Sequence, residues 1–273
     1  MAYSASELIN LALRWLHVLA GIFWIGQTAL FAWLDTRLRR SVPSTDGAEI
    51  WMVHGGGFYR VEKLPWQVPA RALHWFKWES AVTWVSGFLL LAWIYYGGRI
   101  LVPPEARLGP VAAITVSIAV LAAGWVVYDL LWNAVPVRRE LVGTVVSLAL
   151  LVALAWGLSQ LFTGRAVFIQ VGATLGTIMT ANVWMRILPA MRQAVAAAGA
   201  GRELDEAQVA GLARAARRSR HNTFLAFPVV FLMISNHYPV ATYGHRLAWA
   251  VLPAFVVVGF AARWVLNRIE ARR

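Results

Sequence analysis

Apolar residues run almost unbroken through seven stretches of the chain, near residues 7 to 34, 78 to 97, 110 to 133, 141 to 162, 166 to 189, 222 to 238 and 246 to 267. A helix rises about 1.5 Å per residue, so crossing the hydrocarbon core of a bilayer takes ~20 apolar residues, and most of these runs are near that length. The sixth is shorter and begins at a basic edge. Because lipid offers no hydrogen bonds to the backbone, such runs must be helical where they cross. The pattern therefore predicts an all-α, polytopic transmembrane helix bundle of about seven spans, built as a single domain over residues 1–273. The first run follows the short stretch MAYSASE, which lacks a basic leader, and it is expected to be a retained helix and not a cleaved signal peptide.

Two connections between the runs are long. Residues 41–77 alternate Trp, Phe and Tyr with basic side chains, which suits a segment lying at the level of the lipid headgroups. Residues 192–220 read as a turn followed by a basic cytoplasmic helix. Most of the 25 Lys and Arg fall in these two connections, beside Arg138 and Arg139, and after the last run. By the positive-inside rule the N-terminus is expected outside and the C-terminus in the cytoplasm.

Composition narrows the classes further. With 59% hydrophobic and 14% charged residues, a mean hydropathy of +0.59 and 15 Trp, the chain is too apolar to cover itself with polar surface in water. Its net charge of +12 sits in short blocks beside the apolar runs, where it meets anionic lipid headgroups, so membrane lipid and not nucleic acid is the expected partner. The absence of cysteine excludes disulfides, thiolate metal sites and covalent attachment of haem c within this chain.

Six histidines sort by expected depth. His54, His74 and His221 fall at the cytoplasmic side, whereas His17, His237 and His245 fall at the outer side. His221 and His237 are 16 residues apart on the expected sixth helix, a rise of roughly 24 Å. Imidazoles facing each other between helices are what a b-type haem requires, and one or two non-covalent haems ligated through His17, His237, His74 and His221 would form an electron path across the membrane. The plain alternative is that interfacial histidines hydrogen-bond to carbonyls and headgroups. Glu79, Asp129 with Asn133, and the pair Asn182 and Arg186 are polar groups inside apolar runs and are expected to face the bundle interior. Gly55, Gly56 and Gly57 let the backbone approach a ligand, or simply make a turn; they lack the strand and spacing of a phosphate loop.

The strings HGGGFYRVEK from His54 to Lys63, LHWFKWESAVTWVSG from Leu73 to Gly87, VVYDLL from Val126 to Leu131, and RSRHNTFLAFPVVFLMISNHYP from Arg218 to Pro239 resemble, in the same order, the membrane domain of bacterial cytochrome-c-linked urate hydroxylases, the membrane-bound urate oxidases. The resemblance implies a bacterial cytoplasmic membrane protein that oxidises urate toward 5-hydroxyisourate. In that family a C-terminal cytochrome c domain follows the bundle, whereas this sequence ends at Arg273 without C-x-x-C-H, so the expected electron acceptor is a separate cytochrome c or respiratory complex. Under this reading His54, His74, Lys77 and Glu79 are the candidate catalytic residues, and Gly55, Gly56, Gly57, Arg71 and Lys77 hold the small anionic substrate, with His221 closing the cytoplasmic pocket. A haem-binding accessory subunit without catalysis, and a transporter, are the readings that stand beside it.

Overall fold

The computed structural model describes residues 4–38, 49–64 and 73–272. It contains seven long helices: α1 (Ala5–Leu38), α2 (Trp78–Gly97), α3 (Pro110–Ala134), α4 (Glu140–Ser159), α5 (Gly164–Gly199), α6 (Glu206–Ile234) and α7 (Ala248–Arg272). All but α6 are long and apolar enough to span a membrane, so the chain is a multi-pass membrane protein with an all-α bundle fold. α6 differs because a basic half, with Arg214, Arg217, Arg218 and Arg220, continues without a break into the apolar half from Asn222. The basic connection is thus shorter than expected: α5 runs on to Gly199, and the basic helix is the first half of α6 itself.

Local chemistry sets the ends and bends of these helices. Asp205 caps α6 through a reciprocal box, its carboxylate accepting from Gln208 N at 2.8 Å while Gln208 Oε1 accepts from Asp205 N at 3.0 Å. Thr163 caps α5 by accepting from Ala166 N, and Pro110 occupies the first turn of α3, where its missing N–H is harmless. Within α5, Pro189 cannot donate to the preceding turn, and the helix widens to a π-turn over Asn182–Ile187 just before it. That wide turn carries two of the polar side chains considered below.

α5 is the central helix, buried along most of its length and packed against α2, α3, α4, α6 and α7. α1 lies on the outside of the bundle against α2 and α6. Leu121, Leu151, Ala155, Phe168, Val171, Leu232 and Val256 form the apolar core where α3, α4, α5, α6 and α7 meet. One polar cluster interrupts this core: Ser117 Oγ donates to Gln170 Oε1 at 2.6 Å, Gln170 Nε2 returns a bond to Ser117 O at 2.9 Å, and Tyr96 Oη lies 2.8 Å from Ser117 Oγ. Each buried polar atom finds a partner there, which in lipid is what makes such side chains tolerable.

Inside the interfacial segment lies a structure the sequence reading did not name. β1 (Glu49–His54) and β2 (Gly57–Glu62) pair antiparallel, with His54 opposite Gly57. Gly55 and Gly56 form the two-residue turn, both at positive φ, 58° and 84°, as a primed hairpin turn demands. The glycine run is therefore required by the backbone. Lys63 Nζ reaches Asp35 of α1 at 2.5 Å and ties the hairpin base to the bundle.

Candidate functional site

The ends where α1, α3, α5 and α7 finish and α2, α4 and α6 begin are here termed the basic end. A buried polar network occupies it, drawn from α3, the π-turn of α5 and the middle of α6. Asp129 is its anion. Oδ1 accepts from Arg186 Nε at 2.9 Å and Arg218 Nη2 at 2.9 Å, and Oδ2 accepts from Asn133 Nδ2 at 3.1 Å and from Arg186 Nη2. Arg217 fans over the end of α3, donating to Val135 O at 2.8 Å and Trp132 O at 2.5 Å, where the last carbonyls of a helix lack intrahelical partners.

An uncharged half adjoins this ion cluster. Tyr128 Oη lies 2.8 Å from His221 Nδ1 and accepts from Asn182 Nδ2 at 3.1 Å. Asn182 Nδ2 also donates to Asn222 Oδ1 at 2.9 Å, and Asn222 Nδ2 donates to Met179 O at 2.9 Å. The Arg218 guanidinium sits 4.7 Å above the Tyr128 ring, and the His221 ring meets Trp132 edge-on at 4.2 Å. Arg186 and Arg218 thus share one carboxylate, and Arg217 and Arg218 are both buried. Among the described residues, three buried polar atoms in the network have no hydrogen-bond partner, Arg217 Nε, Arg218 Nη1 and Asn182 Oδ1.

His17 makes a second site, in the contact between α1 and α2. Its Nδ1–H donates to Thr83 O at 2.9 Å, with Ser86 Oγ a second acceptor at 3.2 Å. A carbonyl can only accept, so the proton is on Nδ1 and Nε2 keeps its lone pair. The ring lies over Gly87 so closely that a Cβ there would stand 2.7 Å from His17 Cε1. Gly87 is nine residues into α2, about 13 Å from its start, which places His17 near the middle of the bundle and not at the outer surface.

Glu79, Lys77 and His74 form a third group at the start of α2. Glu79 Oε1 accepts from Gln27 Nε2 of α1 at 3.2 Å, and Oε2 is buried without a partner. Lys77 does not pair with Glu79; its ammonium lies 5.1 Å from the Trp78 ring and 5.7 Å from the Trp184 ring. The His74 ring packs edge-on against Phe76 at 4.5 Å, and Phe76 in turn meets Phe31 of α1. His54, Gly55 and Gly56 sit at the exposed hairpin tip with Gly57 beside them, and Arg71 lies outside the described residues.

At the opposite end, Asn236 Oδ1 accepts from Arg165 Nε at 3.0 Å and from Tyr95 Oη at 3.4 Å. His237 follows in a 3-10 turn, past the end of α6, and is exposed. His245 accepts from the backbone N of Leu247 in the loop before α7.

Among the described residues, no hydrogen bond, ion pair or ring contact joins His221 to His54, His74, Lys77 or Glu79, so the residues expected in one cytoplasmic pocket stand in separate groups. The four candidate haem ligands lie apart. His17 lies level with Gly87 while His237 adjoins the Tyr95 cluster, eight residues or about 12 Å farther along α2, and His221 is walled by Tyr128 and Trp132. His17 and His237, at these different depths, do not fit as the two axial ligands of one haem. His17 taken singly does fit an axial ligand, because a metal-bound imidazole characteristically donates its other N–H to a carbonyl. Tyr128, Arg217, Arg218 and Asn222 escaped the sequence reading; the signal for Arg217 and Arg218 was their spacing from His221 on a helix that continues into an apolar run.

Comparison with curated proteins and with solved structures finds no match. Residues 3–273 match a family described as Urate oxidase N-terminal. Since the match spans essentially the entire chain, the protein belongs to the Urate oxidase N-terminal family.

Proposed function

We propose that the chain is the membrane module of a urate-oxidising enzyme of the bacterial cytoplasmic membrane, with the basic end in the cytoplasm, passing electrons to a separate cytochrome c or respiratory complex. The observation that carries this reading is the family match over residues 3–273. Conversion of urate to 5-hydroxyisourate removes two electrons, takes a hydroxyl from water and releases two protons, so the module needs an electron exit and groups that accept protons. His17, through Nε2, would hold a b-type haem, which would supply one-electron acceptor chemistry near mid-depth. Thr83 and Ser86 fix the His17 ring for that role, and Gly87 provides the notch that holds it. Glu79, with one carboxylate oxygen buried and without a partner among the described residues, is the proton-accepting group at the start of α2.

The test is anaerobic and optical. Detergent-purified protein is expected to show a b-type spectrum, and urate added without oxygen is expected to reduce it at a rate that saturates with urate concentration. A haem-loaded protein that dithionite reduces and urate does not would overturn the oxidase reading and leave an electron-transfer subunit.

A further inference from the structure

The basic-end network holds more positive charge than its carboxylate balances. Arg218, 2% exposed, and Arg186 both donate to a single anion, Asp129, both of whose oxygens are already taken, while Arg217, 5% exposed, donates to the Trp132 and Val135 carbonyls. Arg218 shares its carboxylate with Arg186, so an anion brought beside it would be favoured. Two atoms say what else that anion must carry. Arg218 Nη1 is a buried donor with no acceptor, and Asn182 Oδ1, on a side chain 0% exposed, is a buried acceptor with no donor. Both side chains contact Tyr128, the guanidinium over its ring and the amide at its hydroxyl.

We infer that the Tyr128, Asn182, Arg218 and His221 group is the binding site for the planar anionic substrate, a purine-trione of the urate type. This inference rests on the urate-oxidising reading given above. A urate monoanion presents acceptor oxygens beside ring N–H donors along one edge, so it can accept from Arg218 Nη1 and donate to Asn182 Oδ1. Phosphate can also donate through a P–OH but lacks the planar edge that sets an acceptor oxygen beside an N–H. Arg186, whose side chain is 45% exposed, connects the network to the surface, and the π-turn that carries Asn182 is where α5 can yield to admit a ligand.

The experiment is ligand-dependent thermal stabilisation of the haem-loaded protein in detergent, with urate and inorganic phosphate as separate probes, alongside anaerobic urate reduction. Urate is expected to raise the unfolding temperature of the wild type, because a ligand that binds the folded state stabilises it. Asn182→Asp, which sets a carboxylate against the substrate, is expected to weaken urate binding at least tenfold. Should that variant fail to fold, Arg218→Lys keeps the charge, loses the planar fork, and carries the same expectation. Urate binding that is unchanged in both variants, while the wild type is still reduced by urate, overturns the site and leaves the oxidase reading intact. Stabilisation by phosphate and not by urate, lost in Asn182→Asp, overturns the substrate class. A wild type that neither binds urate nor is reduced by it overturns the oxidase reading, and the site assignment falls with it.

Discussion

Replacing Asp129 with asparagine is expected to destabilise the protein by about 3–5 kcal/mol, the loss typical of removing one partner from a buried ion cluster. The substitution preserves shape, so the loss comes from charge. Arg218 is left buried with its strongest acceptor gone, and the new amide turns a donor toward a guanidinium that can only donate. Arg186 is half exposed whereas Arg218 is buried, so the penalty falls mainly on Arg218. An apparent unfolding temperature lower by on the order of 10 °C is expected in detergent. Removing the cation as well, in Asp129→Asn with Arg218→Gln, is expected to be less damaging than the two single losses added together. Strictly additive losses would show that the ion pair is not what holds α3 to α6.

The helical architecture was largely legible because the apolar runs have the length that lipid imposes, and length does not depend on which helices are neighbours. α6 was the exception. Its basic half looked like a solvated connection, since Arg217 and Arg218 are expensive to bury, and the side chains that make burial tolerable are Asp129 and the carbonyls at the end of α3, more than 80 residues away. Spacing along one helix cannot show such partners. The hairpin was readable and was missed: EIWMVH and GFYRVE flank a two-glycine turn, a recognised hairpin signal, but the Trp and Tyr of the segment also suit a headgroup-level strip.

The candidate sites divide in the same way. Asp129 with Asn133, and Asn182 with Arg186, were singled out because a polar side chain inside an apolar run must find a partner, and the structure supplies those partners from other helices. The histidines were grouped by depth alone, which left the pairing open. His221 proved to be enclosed by α3, and His17 lies deeper than its distance from the N-terminus suggested, because α1 is 34 residues long and begins well before it. Neither relation is encoded in the local sequence.

That depth leads to the other large effect. His17→Leu is expected to lower the haem content of purified protein at least tenfold, and Gly87→Val is expected to do nearly as much without touching the histidine. A Cβ at position 87 would lie 2.7 Å from His17 Cε1 and 3.1 Å from Nδ1, inside any tolerable contact. The imidazole has two torsions and is held by Thr83 O, so it cannot slide aside and keep that hydrogen bond; either the ring turns away or α1 lifts from α2. In each case Nε2 leaves its position. Gly26→Ala, also on α1, is the control, since nothing lies within 4 Å of a Cβ there and haem content should hold. Pyridine haemochrome per mole of protein measures all three. If His17→Leu kept its full haem complement, His17 would not be the axial ligand, and the hydrogen bonds to Thr83 and Ser86 would serve only to clamp α1 against α2.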